Sequence, residues 1–209
     1  MLEAAVDGGI DLLDTSNSYA GGEAERIIGA WLHDRGRRDE VLIATKVYYP
    51  MGEGPNNGGG GRRHIVQELD AQLKRLQTDW IDLYQIHRFD PDTPVEETMQ
   101  ALHDLIRMGK VRYIGASTMA AWQFAKMQEA ARANGWTPFI SMQDQLSLLY
   151  REEEREMLPL CADQGVGVIP WSPIARGRLA RPAGAETERT RTDQYGKMLF
   201  DQTADADRA

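Results

Sequence analysis

Residues 80–117 read WIDLYQIHRFDPDTPVEETMQALHDLIRMGKVRYIGAS. The apolar run "WIDLYQIH" (80–87) has strand character and "PVEETMQALHDLIRMG" (94–109) has helical spacing. A second apolar run, "VRYIGAS" (111–117), follows directly. Strand, helix and strand in so short a span form a βα unit, whose crossover makes the two strands parallel. Gly109 stands where a helix stops on a left-handed cap.

The same unit recurs on both sides. Further strands are expected at "IDLLD" (10–14), "VLIATK" (41–46), "FISMQ" (139–143) and "VGVIPW" (166–171). Helices are expected at 22–35, 62–77, 119–135 and 151–165, the last two ending on Gly135 and Gly165. In the 62–77 segment Ile65, Leu69, Leu73 and Leu76 make one apolar stripe for a sheet.

The strands would end on Asp14, Lys46, His87, Ser117, Gln143 and Trp171. Parallel strands bring their carboxyl ends to one face, so these six side chains converge on one rim. The Gly-rich segment "GEGPNNGGGG" (52–61) does not follow the first strand and lacks the dinucleotide-binding spacing. It reads as a mobile loop, and the convergence favours a barrel over an open nucleotide-binding sheet. The expected fold is therefore α/β, of the (β/α)8 TIM-barrel type, with about six of the eight βα units present. Residues 2–9 look like the tail of a helix whose preceding strand is missing, and the chain turns polar from Arg176 onward. The expected division is a partial barrel over 1–180 and a polar, flexible segment over 181–209.

With 209 residues, 42% hydrophobic and 27% charged, the chain suits one globular domain. A net charge of −8 argues against a nucleic-acid partner. No apolar run approaches the roughly 18 residues of a membrane span, and residues 1–10 lack the pattern of a signal peptide. Cys161 is the single cysteine, which agrees with a reducing, cytoplasmic compartment. His33, His64 and His103 lie in expected helices without ligand spacing to His87, so no metal site is expected.

Taken singly, the rim residues have bland readings. Asp14 could cap a turn, Tyr19 could be an exposed loop aromatic, Lys46 could reach solvent, and His87 could be a satisfied polar group. Taken together, the blocks "DLLDTSNSYAGGEAERIIGAWL", "LIATKV", "DWIDLYQIHRFDPDTPVEETMQAL", "GKVRYIGAST", "SMQDQLSLLYR" and "GVGVIPWSPIARGRL" closely resemble the aldo-keto reductases. The resemblance runs in the family's order from about residue 2 to residue 180.

It implies a barrel that reduces aldehydes or ketones with NADPH, and a catalytic tetrad of Asp14, Tyr19, Lys46 and His87. Hydride addition to a carbonyl creates an alkoxide, so a proton donor must stand beside that oxygen. Tyr19 would be the donor, Lys46 would stabilise the phenolate left behind, Asp14 would be the counter-ion of Lys46, and neutral His87 would donate to the carbonyl. The resemblance also implies that Ser117, Thr118 and Gln143 hold the nicotinamide amide and that Trp171 stacks on its ring. Ser172, Ile174, Gly177 and Leu179 would line the diphosphate channel. Thr118 stands where the family usually has Asn.

The family's first strand, and the later segment that grips the 2′-phosphate, have no counterpart here. The expectation is a chain cut at both ends, with impaired cofactor grip and self-association through unpaired barrel edges. The other function considered is a catalytically weak interaction subunit or remnant, since potassium-channel β subunits share the fold and tetrad. A metal-dependent barrel lyase is more distant. The small-molecule carbonyl substrate itself is set by rim loops and is not legible.

Overall fold

In a computed structural model, six parallel strands pair in chain order into one sheet: β1 (Leu12–Asp14), β2 (Leu42–Val47), β3 (Ile81–Ile86), β4 (Val111–Ser117), β5 (Ser141–Gln143) and β6 (Gly167–Val168). The structure describes residues 1–182, 185 and 187–200, so 201–209 of the expected C-terminal segment lie outside the described residues. A helix precedes β1, α1 (Leu2–Asp7), and one follows each of the six strands or its loop: α2 (Glu23–Arg35), α3 (Arg62–Leu76), α4 (Val95–Arg107), α5 (Ala121–Ala133) and α6 (Met157–Gln164) lie between strands. Beyond β6 lie two short helices that no sequence pattern pointed to, α7 (Glu188–Thr192) and α8 (Gln194–Phe200). The sheet curls as part of a (β/α)8 barrel, the one of the two folds open to such an alternation that was expected here.

Side-chain alternation along each strand separates the two faces. Thr45 and Tyr84 point outward, where both reach Gln72 of α3. Lys46 and Gln85, partners in the β2–β3 register, point to the inside of the arc. The core lies between strands and helices: Ile43, Ile86, Ile114 and Met142 are buried with Leu69, Leu102 and Phe124. Of the stripe expected in α3, Ile65, Leu69 and Leu76 are buried and Leu73 is partly buried against the same core; in α4, Val95, Met99 and Leu102 are buried likewise. On the inner face Leu42 and Tyr113 are 49% and 56% exposed, and β1 and β6 each have one neighbouring strand among the described residues.

Several expected elements are shorter than the residue pattern suggested, β1 among them, which starts at Leu12 instead of 10. The ladder of β5 starts at Ser141, because the N–H of Phe139 donates to the Gln128 side chain of α5 at 2.8 Å. β6 stops at Val168 because Pro170 has no N–H for a ladder; Trp171 rejoins the sheet by one isolated bridge to Gln145. Helix α6 begins at Met157 instead of 151, since Pro159 is tolerated only in a first turn. The preceding residues form a 3-10 turn, Glu152–Glu154, clamped by Arg151–Glu154 and Arg155–Glu152 ion pairs. The expected left-handed glycines are present: Gly109, Gly135 and Gly165 have φ of 75°, 68° and 68°.

Candidate active site

The carboxyl ends of the strands open onto a cavity of about 550 Å³, within the range of small-molecule sites. Its wall includes Tyr19, Tyr49, His87, Arg88, Gln143 and Trp171. Asp14 ends β1, Lys46 lies near the end of β2, and His87 follows β3. Tyr19 comes from the loop after β1, at the start of a 3-10 turn (Tyr19–Gly22) that runs into α2. That turn reverses the chain tightly, with Ala20, Gly21 and Gly22 all left-handed at φ of 49°, 64° and 88°.

Lys46 is the centre of the arrangement. Its side chain is fully buried, yet each of its three ammonium hydrogens has an acceptor. Lys46 Nζ donates to Asp14 Oδ2 at 2.7 Å, to the Thr15 carbonyl at 2.9 Å and to the Tyr19 hydroxyl oxygen at 3.3 Å. A buried ammonium is tolerated only when paired and hydrogen-bonded, and Asp14 provides the charge. Gln85 Nε2 donates to the other carboxylate oxygen of Asp14 at 3.2 Å, which orients it. The phenol of Tyr19 is 40% exposed and faces the cavity, so its proton is available to a bound molecule while a cation supports its oxygen.

His87 sits beside this group, its ring 6.0 Å from that of Tyr19 and edge-on to Tyr49 at 4.9 Å. Burial, helped by the charges of Lys46 and Arg88, holds its imidazole neutral, pushed down to about 3. Its Nδ1 lies 3.1 Å from the buried Ser16 hydroxyl. In the tautomer that accepts the Ser16 hydroxyl at Nδ1, Nε2 carries the ring proton and can offer it to a ligand.

This neutrality has a consequence for stability. In the unfolded chain the imidazole titrates near 6.5, whereas in the folded chain it stays neutral down to about 3. Below pH 6.5 the unfolded state binds the extra proton, so His87 favours unfolding increasingly as pH falls through that window, at up to about 1.4 kcal/mol per pH unit. Urea midpoints measured from pH 7 to 4 should fall more steeply for the wild type than for His87→Gln. Parallel pH slopes for the two proteins would contradict this assignment.

On the opposite flank, Ser117 Oγ donates to the Gln143 carbonyl at 2.7 Å and Trp171 Nε1 donates to Thr118 Oγ1 at 3.0 Å. Thr118 thus fixes the indole, and it does so from a left-handed backbone at φ 46°, a strained setting for a β-branched residue. Gln143 is almost fully buried, lines the cavity and hydrogen-bonds through its side chain to none of the described residues. After Trp171 the chain is again strained: Ser172, Ala175 and Arg176 are left-handed at φ of 53°, 47° and 55°. Ser172 lines the cavity; Gly177 is buried, and Ile174 and Leu179 are largely exposed.

Several residues in or behind the wall were not expected. Ser16, Tyr49 and Arg88 are sequence neighbours of expected residues, and adjacency to a strand end was their only signal. Tyr195 of α8 lines the cavity and tilts over Trp171 at 6.5 Å, while Arg176 is tied to Asp193 by bonds of 2.6 and 2.9 Å. No local pattern in the polar tail announced that contact.

The sequence model of the Aldo/keto reductase family matches residues 1–206. An aldo-keto reductase of Alternaria alternata, AFTS1, is 47% identical over 211 residues, covering 90% of this chain and 58% of the relative. Versiconal hemiacetal acetate reductase of Aspergillus parasiticus is 47% identical over 212 residues, covering 92% and 62%. Aldo-keto reductase dtxS3 of Metarhizium robertsii is 47% identical over 204 residues, covering 87% and 55%. The chain thus spans somewhat more than half the length of these relatives. Among the described residues no helix is long and apolar enough to cross a membrane.

Proposed function

The chain belongs to the aldo/keto reductase family, and we propose that it reduces an aldehyde or ketone to the alcohol with NADPH, Tyr19 acting as the acid. The observation that carries the proposal is the buried Lys46 ammonium in contact with both Asp14 and the Tyr19 hydroxyl. Tyr19 gives its proton to the carbonyl oxygen as negative charge develops there, and Lys46 stabilises the phenolate that remains. Asp14 keeps Lys46 charged, and His87 donates from Nε2 to orient the carbonyl.

The opposite flank suits a nicotinamide cofactor. The amide of Gln143 has donors and an acceptor to offer a carboxamide, and the indole of Trp171, held by Thr118, offers a flat stacking face. Ser117 and Thr118 complete that wall, while Ser172, Ile174, Gly177 and Leu179 belong to the strained loop assigned to the diphosphate. A bound reduced nicotinamide would supply the hydride, and the protein supplies position and proton. The closed contacts among Asp14, Tyr19 and Lys46 suit either an enzyme or a catalytically weak interaction subunit, and the similarity to proteins named as reductases supports the enzyme. A cytoplasmic setting belongs to the same reading.

The test is a fluorescence titration with NADPH, and with NADH in parallel, followed by absorbance-monitored turnover of a reactive aromatic aldehyde. Binding with aldehyde-dependent oxidation of the cofactor is expected. A folded chain that binds neither nucleotide, or binds without turnover, would defeat the proposal.

A further inference from the structure

The cavity wall contains no carboxylate, although acidic residues outnumber basic ones by 32 to 24 in the chain. It does contain two arginines. Arg176, on the Trp171 flank, is neutralised by its paired bonds to Asp193. Arg88, on the His87 flank, is different: its Nε donates to the Tyr49 hydroxyl at 3.1 Å and its Nη1 to the His87 carbonyl at 3.4 Å, both uncharged acceptors.

Among the described residues Arg88 makes no ion pair. Asp90 accepts from the Gly60 N–H, the Asp92 N–H and the Thr93 hydroxyl. Asp144 is buried, which pushes its carboxyl up to about 7; it feels the charge of Arg88 but makes no hydrogen bond or ion pair with it among the described residues. The guanidinium is half-buried and held by Tyr49, whose ring packs on His87 and whose carbonyl is tied to Asn17 Nδ2 at 3.2 Å. Its charge is felt at His87 itself. A guanidinium held in place without an ion-pair partner, in a cavity wall without acids, favours an anion.

We propose that Arg88 is a specificity-determining residue that selects carbonyl substrates carrying a carboxylate near the reacting group. The proposal rests on the reductase reading above. A carboxylate matches the planar fork of the guanidinium, whereas a neutral substrate leaves the cation without a counter-charge.

The test compares 4-carboxybenzaldehyde with methyl 4-formylbenzoate, its neutral ester, at saturating NADPH. The kcat/KM ratio of acid to ester should exceed one by about tenfold to a hundredfold at low salt, the range of one charge-assisted hydrogen bond. The ratio should shrink with added salt, collapse in Arg88→Met and recover in part in Arg88→Lys. A ratio unchanged in Arg88→Met overturns the proposal. So does an Arg88→Met variant that keeps the ratio but binds NADPH more weakly, because Arg88 would then serve the cofactor.

If neither aldehyde is reduced, the reductase reading fails and binding decides the matter separately. Tryptophan fluorescence, with Trp171 in the same wall, then reports the two compounds directly. Tighter binding of the acid, lost in Arg88→Met, supports the anion subsite; equal binding of acid and ester overturns it.

Discussion

Tyr19→Phe should lower turnover of an aromatic aldehyde by about 10² to 10⁴-fold, the range of a positioned general acid, while the dissociation constant for NADPH stays within about twofold. The change removes one oxygen and keeps the ring. Lys46 retains Asp14 and the Thr15 carbonyl as acceptors, so the buried ammonium is not stranded. The ring is 40% exposed and is not part of the core, so a stability change within about 0.5 kcal/mol is expected. Loss of turnover with intact folding and cofactor binding separates chemistry from structure. A variant that keeps more than a tenth of wild-type turnover would show that another group delivers the proton.

The second large effect lies behind the site. Glu25→Ala should destabilise the fold by about 3–5 kcal/mol, the cost of breaking a buried ion pair on one side, read as a lowered urea midpoint. Glu25 is fully buried at the start of α2 and gathers three donors from other elements. Thr45 Oγ1 and Gln72 Nε2 donate to it at 2.7 Å each, and Arg75 Nε donates at 2.6 Å. Removing the carboxylate leaves those donors buried, with only Glu68, at 2.5 Å, still facing Arg75.

The same network touches the site. Gln72 Nε2 donates to the Lys46 carbonyl at 3.0 Å, and Gln72 Oε1 accepts from the Tyr84 hydroxyl at 2.8 Å. The Arg75 side chain packs on Gly22, at the end of the turn that carries Tyr19, where an added Cβ would lie 3.0 Å from it. Glu25→Ala should therefore lower turnover as well as stability. The control is Glu23→Ala, which breaks an exposed pair with Arg26 and should cost less than about 1 kcal/mol. Equal losses for the two variants would show that the buried network carries no special weight.

Much of this architecture was legible in the residues. Apolar runs alternating with amphipathic segments dictate parallel strands and covering helices, because a strand repeats every two residues and a helix every 3.6. The glycines at 109, 135 and 165 mark helix ends because a left-handed backbone suits a residue without Cβ. Parallel strands share one carboxyl end, so the gathering of Asp14, Lys46, His87, Ser117 and Gln143 at one rim followed from their positions alone. Such properties are local, and a sequence carries local information directly.

Other features depend on groups far apart in the chain. The Ser16 hydroxyl meets His87 across 71 positions, and Gln72 meets Glu25 across 47. Whether such pairs touch depends on strand register and helix placement, which no short pattern encodes. The same reason applies to Arg88 beside Tyr49 and Tyr195 over Trp171. Sequence by itself determined the order of elements and the chemistry offered at the rim. Only the tertiary structure decided which of those groups are paired, and that Arg88 stands in the cavity wall without an ion pair among the described residues.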